Sequence, residues 1–519
     1  MFCRAFEMGL PLGDIPVLSR KAFMQLKKQV CRDLPCKARV HTSLWVNALM
    51  LWRGFLALLL LLAITGCQTY TDQNRAALAY WQQGDLVSAE RELQRKATHS
   101  LGTKDHVLWH LEHATSQLVA GDAESSLLSF DKAENQIEAY EQKGLISLSQ
   151  TSMELGTYIS NQANRPYVGR GYDKTMLHVY KALLYWKLAS DPDKQGVRTE
   201  LLKGRRRQQE ALQAHRREVE RAKSEEAHHQ NRQQLALARQ DPNLDQQIQV
   251  IQSEWSHLKD YDDFANPYLE FLSCLYLACH GSGQTDLADA EVALKRLQGM
   301  VEVSMPAWDQ LAIWLNAMTE NKSSIPRTMI VFETGRAASL EQIRIDIPII
   351  MGDVSYLGAA FPQLVFHDRF YSGLQVQAGG ESHGTSLVCD IDSLVAYEYK
   401  KNFPIMLART LASSVAKGVT AYMANRAASD QDAVFGLLMK VGTAIAQVAV
   451  NIADTRSWNT LPKQVHFCQI DTPPGGSLTL STTDDRFVSD LILDEKKSHM
   501  ILVRSIGMNA PLTIDAFEL

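Results

Sequence analysis

From about residue 71 to residue 300, apolar side chains recur at steps of three and four, the period of helices that bury one face. Past Pro326 the texture changes to strands. Residues 328–335 (TMIVFETG) and 341–350 (EQIRIDIPII) alternate or run apolar with β-branched residues, and Gly335-Arg336-Ala337 between them reads as a turn. Shorter strand-like runs follow at Gln363–Phe366, Leu374–Gln377 and Thr385–Cys389. Helical spacing then returns over residues 391–425, interrupted near Pro404, and over a second, very apolar stretch at 431–453. Residues 463–519 read as four or five short strands with turns at Pro473-Pro474-Gly475-Gly476, Asp494-Glu495-Lys496-Lys497 and Asn509-Ala510-Pro511. The fold class predicted is α+β. A helical array leads into a mixed strand and helix domain, and the terminal strands form a small sandwich or complete the central sheet.

Within the helical half a short phrase recurs. Gly84-Asp85-Leu86 is followed by Ala89 and Leu93, and Gly121-Asp122-Ala123, 37 residues on, by Ser126, Phe130 and Ala133. A weaker copy, Asp286-Leu287, precedes Ala290 and Leu294. These phrases resemble the turn and second helix of tetratricopeptide repeats, in which small residues let two helices approach and a large one fills the groove. The resemblance implies a stack of helix pairs able to hold a peptide or protein segment; a generic antiparallel array is the alternative. His178 to Lys203 supplies a third, degenerate unit whose turn lacks the glycine. Residues 203–240 break the pattern with few apolar positions, and residues 203–223 hold eight Lys and Arg against three Glu. A long solvated helix is predicted there, with Arg205, Arg206 and Arg207 on a solvated face or, alternatively, in a docking patch for anionic headgroups or an acidic partner.

The leader carries the sharpest signal. From Met50 the chain reads MLWRGFLALLLLLAITGC, with one basic residue, a short apolar run and small residues before a cysteine. The run is too short to cross a bilayer comfortably, which takes roughly 20 apolar residues. Ile64-Thr65-Gly66-Cys67 resembles the bacterial lipobox, which implies cleavage before Cys67 and acyl chains, palmitate among them, on that cysteine. Gln68 in place of Asp points to the outer membrane in the same resemblance. Residues 1–49 do not fit the start of such a leader and read as an overcalled start site. The organisation expected is therefore a signal peptide at 50–66, a helical domain at 67–325, a mixed domain with two long helices at 326–462, and a terminal strand unit at 463–519.

Charge and cysteines narrow the function classes. The chain holds 53 Lys and Arg against 58 Asp and Glu; residues 1–66 take nine and three of these, leaving 44 against 55, a net −11, for residues 67–519. A body of that sign has no reason to bind nucleic acid in bulk. Cys274 and Cys279, five apart in a helix, point to different faces and read as core residues. Cys389 and Cys468, each in an apolar strand-like run, are either a disulfide or two buried thiols.

Catalytic signatures are sparse. The sequence has no phosphate-cradling GxxxxGK[ST], no HExxH, no GxSxG and no dinucleotide fingerprint. No cofactor or metal is implied by any ligand spacing. His367-Asp368 sits at a strand-to-loop junction, where a surface hydrogen bond is the first reading and a catalytic pair would need a nearby nucleophile. Asp454, Arg456 and Trp458 mark a corner between the apolar helix and the terminal strands, an ion pair tying it and the indole filling it.

Residues 172–185 (YDKTMLHVYKALLY) and 453–462 (ADTRSWNTLP), with the following PPGGSLTL, resemble a family of Gram-negative outer-membrane lipoproteins. Its members join N-terminal tetratricopeptide-like helices to a C-terminal mixed α/β domain. The resemblance covers nearly all of the chain after the leader and brings no catalytic residues with it. The family pattern has Gly where Ser190-Asp191 stand here. The function expected is a non-enzymatic, lipid-anchored periplasmic scaffold that holds an envelope protein on its helical array. The alternative is an accessory regulator of cell-wall or surface-polysaccharide synthesis acting through the C-terminal domain.

Overall fold

A computed structural model describes residues 69–150, 165–188, 195–227, 232–301, 305–319, 325–351, 354–429 and 453–519. Cys67, the leader and residues 430–452 lie outside the described residues, so the predicted signal motif and most of the second apolar helix are not among them.

The two strong copies of the repeat phrase fold into the same turn. Helix α1 (Tyr70–Gln83) reverses into α2 (Leu86–Thr98), and α3 (His106–Val119) reverses into α4 (Ala123–Gln150). At both reversals the glycine is left-handed, φ 78° at Gly84 and 85° at Gly121, which closes the preceding helix without a Cβ clash. Gly84 N–H reaches Trp81 O and Asp85 N–H reaches Tyr80 O; Gly121 and Asp122 repeat the pair onto Leu118 and Gln117, all at 3.0 Å. Asp85 and Asp122 then cap the next helices through the N–H groups of Ser88 and Ser125. Five residues past each glycine stands a small buried residue, Ala89 or Ser126, and nine past it a large one, Leu93 or Phe130. The third phrase differs. Its turn glycine is Gly283, and Asp286 lies inside the first turn of α10 (Gly283–Met300), where it accepts Ser282 N–H; Ala290 is fully buried.

Helix α5 (Gly171–Leu188) pairs with the long α6 (Gln195–Ala227), which is followed by α7 (Arg232–Arg239), α8 (Pro242–Ser253) and the apolar α9 (Pro267–His280), α10 and α11 (Met305–Thr319). The polar helix expected at 203–240 thus starts earlier and is described as far as Ala227, and the turns around Arg205 and Arg207 are not solvated. Arg207 is 5% exposed and binds Glu141 and Glu210, while Arg205 binds the buried Glu270. Only Arg206 of that trio stays largely in solvent, so the three do not make a docking patch.

The strands are β1 (Arg327–Thr334), β2 (Ser339–Met351), β3 (Val354–Val365), β4 (Leu374–Ala378), β5 (Glu381–Gly384), β6 (Ser386–Asp390), β7 (Gln464–Asp471), β8 (Ser477–Thr482), β9 (Val488–Ile492), β10 (His499–Ser505) and β11 (Thr513–Glu518). One sheet runs β11-β10-β1-β7-β6, a second runs β5-β4-β8-β9, and β2 with β3 forms a long hairpin. Central β1 is parallel to β10 and antiparallel to β7. Alternation along it sends Ile330 and Phe332 toward the second sheet, where Leu374, Val376, Leu478 and Leu480 meet them. Met329 and Val331 face the other way, into the core shared with the helices. The result is three layers: helices, five-stranded sheet, four-stranded sheet.

This layering bears on three expectations. Strands 463–519 do not make a unit of their own, because β7 and β10 flank β1 and β8 completes the sheet of β4; residues 69–519 form one compact unit. Cys389 and Cys468 are both free and buried, and they sit in the cores on opposite sides of the five-stranded sheet. Helix α12 (Ile391–Ser429) runs through Pro404 without interruption. Proline removes one helical hydrogen bond there, and burial of Tyr399, Phe403 and Leu411 outweighs that loss.

Candidate functional site

Residues 453–462 join the end of the apolar stretch to β7 without regular structure, yet nearly all of them are buried. Buried backbone outside helices and sheets must find partners elsewhere. Here the helical array supplies them. Glu112 of α3, fully buried, accepts Asn459 N–H at 2.7 Å and Thr460 N–H at 3.0 Å, together with Tyr70 O–H at 2.8 Å and Asn74 Nδ2–H at 3.2 Å. Burial pushes the Glu112 carboxyl above its ordinary range, against the hydrogen bonds it accepts. From the strand side, Gln342 accepts Ala453 N–H and Ser457 Oγ accepts Leu340 N–H.

The predicted corner residues all lie in this segment. Arg456 binds Asp454 at 2.7 Å, Asp105 at the start of α3 at 3.1 Å, and the Arg165 carbonyl at 2.7 Å. Trp458, 1% exposed, donates its indole N–H to Thr115 and Thr460 and touches the rings of Phe130 and Tyr180 at about 6 Å between centroids. Arg170, just before α5, donates to the Arg456 carbonyl. The two phrases that stand out in the sequence, 172–185 and 453–462, therefore meet through Tyr180 and Trp458. Of the repeat positions, Phe130 reaches this contact, whereas Gly84 and Ala89 serve a separate small core with Trp81, Ile506 and Ala510. Gly121 caps its turn and Ala290 fills a helix contact away from the segment.

A second junction is carried by α12. Glu398 caps the start of α5 from a distance of more than two hundred residues in sequence, accepting Gly171 N–H and Tyr172 N–H at 3.0 Å each.

Glu134, His178 and Glu200 bring three potential ligand atoms within 4.8 Å of one another, the arrangement a divalent metal would use. Their oxygens are already spent. Lys181 reaches Glu134 and Glu200, Lys203 sits 2.9 Å from Glu134 and 3.2 Å from Glu200, and His178 Nδ1 lies 2.6 Å from Glu200. Burial alone would raise the Glu134 carboxyl; Lys181, with help from Lys203 and His178, overcomes that and holds it down to about 2. The two ammonium groups stand where a metal ion would.

His367 and Asp368 part company. His367 Nε2 lies 3.0 Å from Ser339 Oγ, while the exposed Asp368 carboxylate turns to Lys463 at 3.0 Å. Lys463 also holds the buried Asp392 at 2.5 Å. Burial, then the charges of Arg336 and Lys463, push His367 down to about 4, so its ring is neutral near pH 7. A serine and a neutral histidine in contact are two parts of a nucleophilic constellation. The third part, a carboxylate orienting the ring, is not the neighbouring Asp368, and Ser339 is 5% exposed.

Sequence reasoning missed Glu112, Glu398 and Ser339. A lone acid inside a helical phrase carries no sign that its partner is a backbone N–H more than two hundred residues away. Compared with family models, curated proteins and solved structures, the chain finds no match in any of the three.

Proposed function

We propose that this chain is a lipoprotein of the Gram-negative outer membrane, of the family its two phrases resemble, held by acyl chains on Cys67. Its body works by binding an envelope protein rather than by catalysis. What supports the reading is the way the helices grip residues 453–462: a carboxylate on consecutive backbone N–H groups, an arginine locked between two acids, and a buried aromatic anchor. That face of the array is filled by the chain itself. The partner surface is accordingly assigned to the solvent side of the same array, where Val87 on α2, Leu128 on α4 and Leu101 in the turn between α2 and α3 are more than half exposed.

The test is site-specific photo-crosslinking in intact envelopes. A photoreactive residue at Leu128 should give one protein adduct of defined size, and the same residue at Ile492, still more exposed but on β9, should not. No adduct from Leu128, or equal adducts from both positions, would count against the reading. The regulatory alternative through residues 326–519 alone gains no support, because the helices form one wall of the core that covers the five-stranded sheet.

A further inference from the structure

Several buried guanidinium groups in this protein are matched to carboxylates. Arg207 holds Glu141 and Glu210, Arg456 holds Asp105 and Asp454, and Arg504 holds Glu333 at 3.0 Å. Arg336 is different. It sits in the turn between β1 and β2, mostly buried, and its Nη2 reaches only neutral oxygens, Ser339 Oγ at 3.2 Å and Asn459 Oδ1 at 3.4 Å. Its Nε is buried with no partner, as are those of Arg207 and Arg504, so the difference lies in the missing acid. Among the described residues no carboxylate lies within ion-pair distance of it. Glu112 and Glu341 act on it only through space, and Glu112 is saturated by the donors of the 453–462 segment. The consequence is visible in its proton affinity: burial lowers the Arg336 pKa, where Arg207 and Arg456 are raised by their acids.

The groups around Arg336 reinforce the imbalance. Lys463 is neutralised by Asp392 and Asp368, and His367 is neutral. Ser339 Oγ accepts from Arg336 and lies 3.0 Å from His367 Nε2, a contact its hydroxyl makes as donor or acceptor according to the ring's tautomer. Beside the cluster His367 is half-buried, and Asp368 and Arg369 are exposed. A mostly buried cation without an acid costs stability unless something supplies the negative charge.

We propose that Arg336, with Ser339 and His367 beside it, is the anchor of a binding site for a ligand's oxyanion group, a carboxylate or a phosphate. The planar guanidinium fork matches either group in a two-point contact. Arg336 is a binding residue in this assignment, and the loop 367–369 forms the rim.

The site makes a prediction with an unusual sign, read on the full-length chain purified in mild detergent by thermal unfolding at constant ionic strength. Either inorganic phosphate or succinate at about 10 mM should raise the Tm by about 2 °C or more over chloride. A shift with phosphate alone assigns a phosphate ligand, and one with succinate alone assigns a carboxylate. Arg336→Gln should lose the shift while its Tm in chloride is no lower than the parent's, because the substitution removes an unmatched charge. Arg336→Lys should keep a reduced shift. The proposal is overturned if neither anion moves the parent, if Arg336→Gln keeps the shift, or if Arg336→Gln in chloride melts several degrees lower, which would make Arg336 a structural tie.

Discussion

Cys67→Ala is expected to abolish acyl labelling of the chain and to leave an uncleaved precursor that is tethered by its apolar run or degraded. Each buried methylene of an acyl chain adds about 0.8 kcal/mol to membrane binding, so several chains hold a protein essentially permanently, and one missing thiol removes them all. Among the described residues no helix is long and apolar enough to cross a membrane. The apolar stretch 431–453 lies mostly outside those residues, and it carries Lys440, whose placement at mid-bilayer costs roughly 2.5–3.5 kcal/mol on insertion scales. A chain beginning at Gln68 should therefore stay in the soluble fraction. Its recovery in the membrane pellet, resistant to high salt but released by detergent, would assign bilayer insertion to the body itself.

Trp458→Ala should lower the stability of the body by about 3–5 kcal/mol, the range for emptying a fully enclosed large aromatic site. The indole touches Phe130 of α4 and Tyr180 of α5 and bonds Thr115 of α3, so its loss strips one contact from three helices at once. Trp458→Phe keeps most of the apolar volume and should cost clearly less, its deficit being the N–H donor and the unfilled edge. Because residues 69–519 are one compact unit, helical and strand signals in a urea titration should shift together. A loss below 1 kcal/mol, or a helical transition that moves while the strand transition stays, would contradict the view that this segment joins the two halves.

Much of the architecture was legible from local chemistry. The Gly-Asp phrases at 84 and 121 encode a left-handed closure and a capped restart, and both lie within a few residues, so the turn can be read without knowing what surrounds it. The run 328–335 overlaps β1 (Arg327–Thr334) but for one residue at each end, and Leu374–Gln377 falls inside β4. What was not legible depends on distant partners. No local pattern says that β10 will lie parallel beside β1 across more than 160 residues, so from the sequence the terminal strands could equally form a small sandwich or complete the central sheet. Arg205 and Arg207 looked solvated because their acids, Glu270 and Glu141, come from other helices. Arg336 read only as a turn residue. Its burial and lack of an acid depend on Ser339, His367 and Asn459, which β2, the loop after β3 and the corner segment bring to it. The corner phrase Asp454, Arg456, Trp458 was readable as a tie, but not as the segment around which the helical array closes.

That closure is the claim on which the placement of the partner surface rests, and one engineered crosslink measures it directly. Thr71 Oγ1 on α1 and Thr455 Oγ1 in the segment are 3.0 Å apart although 384 residues separate them. Thr71→Cys combined with Thr455→Cys should form a disulfide on mild oxidation, since the side chains at the two positions are in direct contact. Peptide mapping should then recover the 71–455 linked pair, and the single substitutions should not produce it. If both thiols stay titratable in the folded double variant, the helices do not hold residues 453–462, and the face assigned to the chain itself is open.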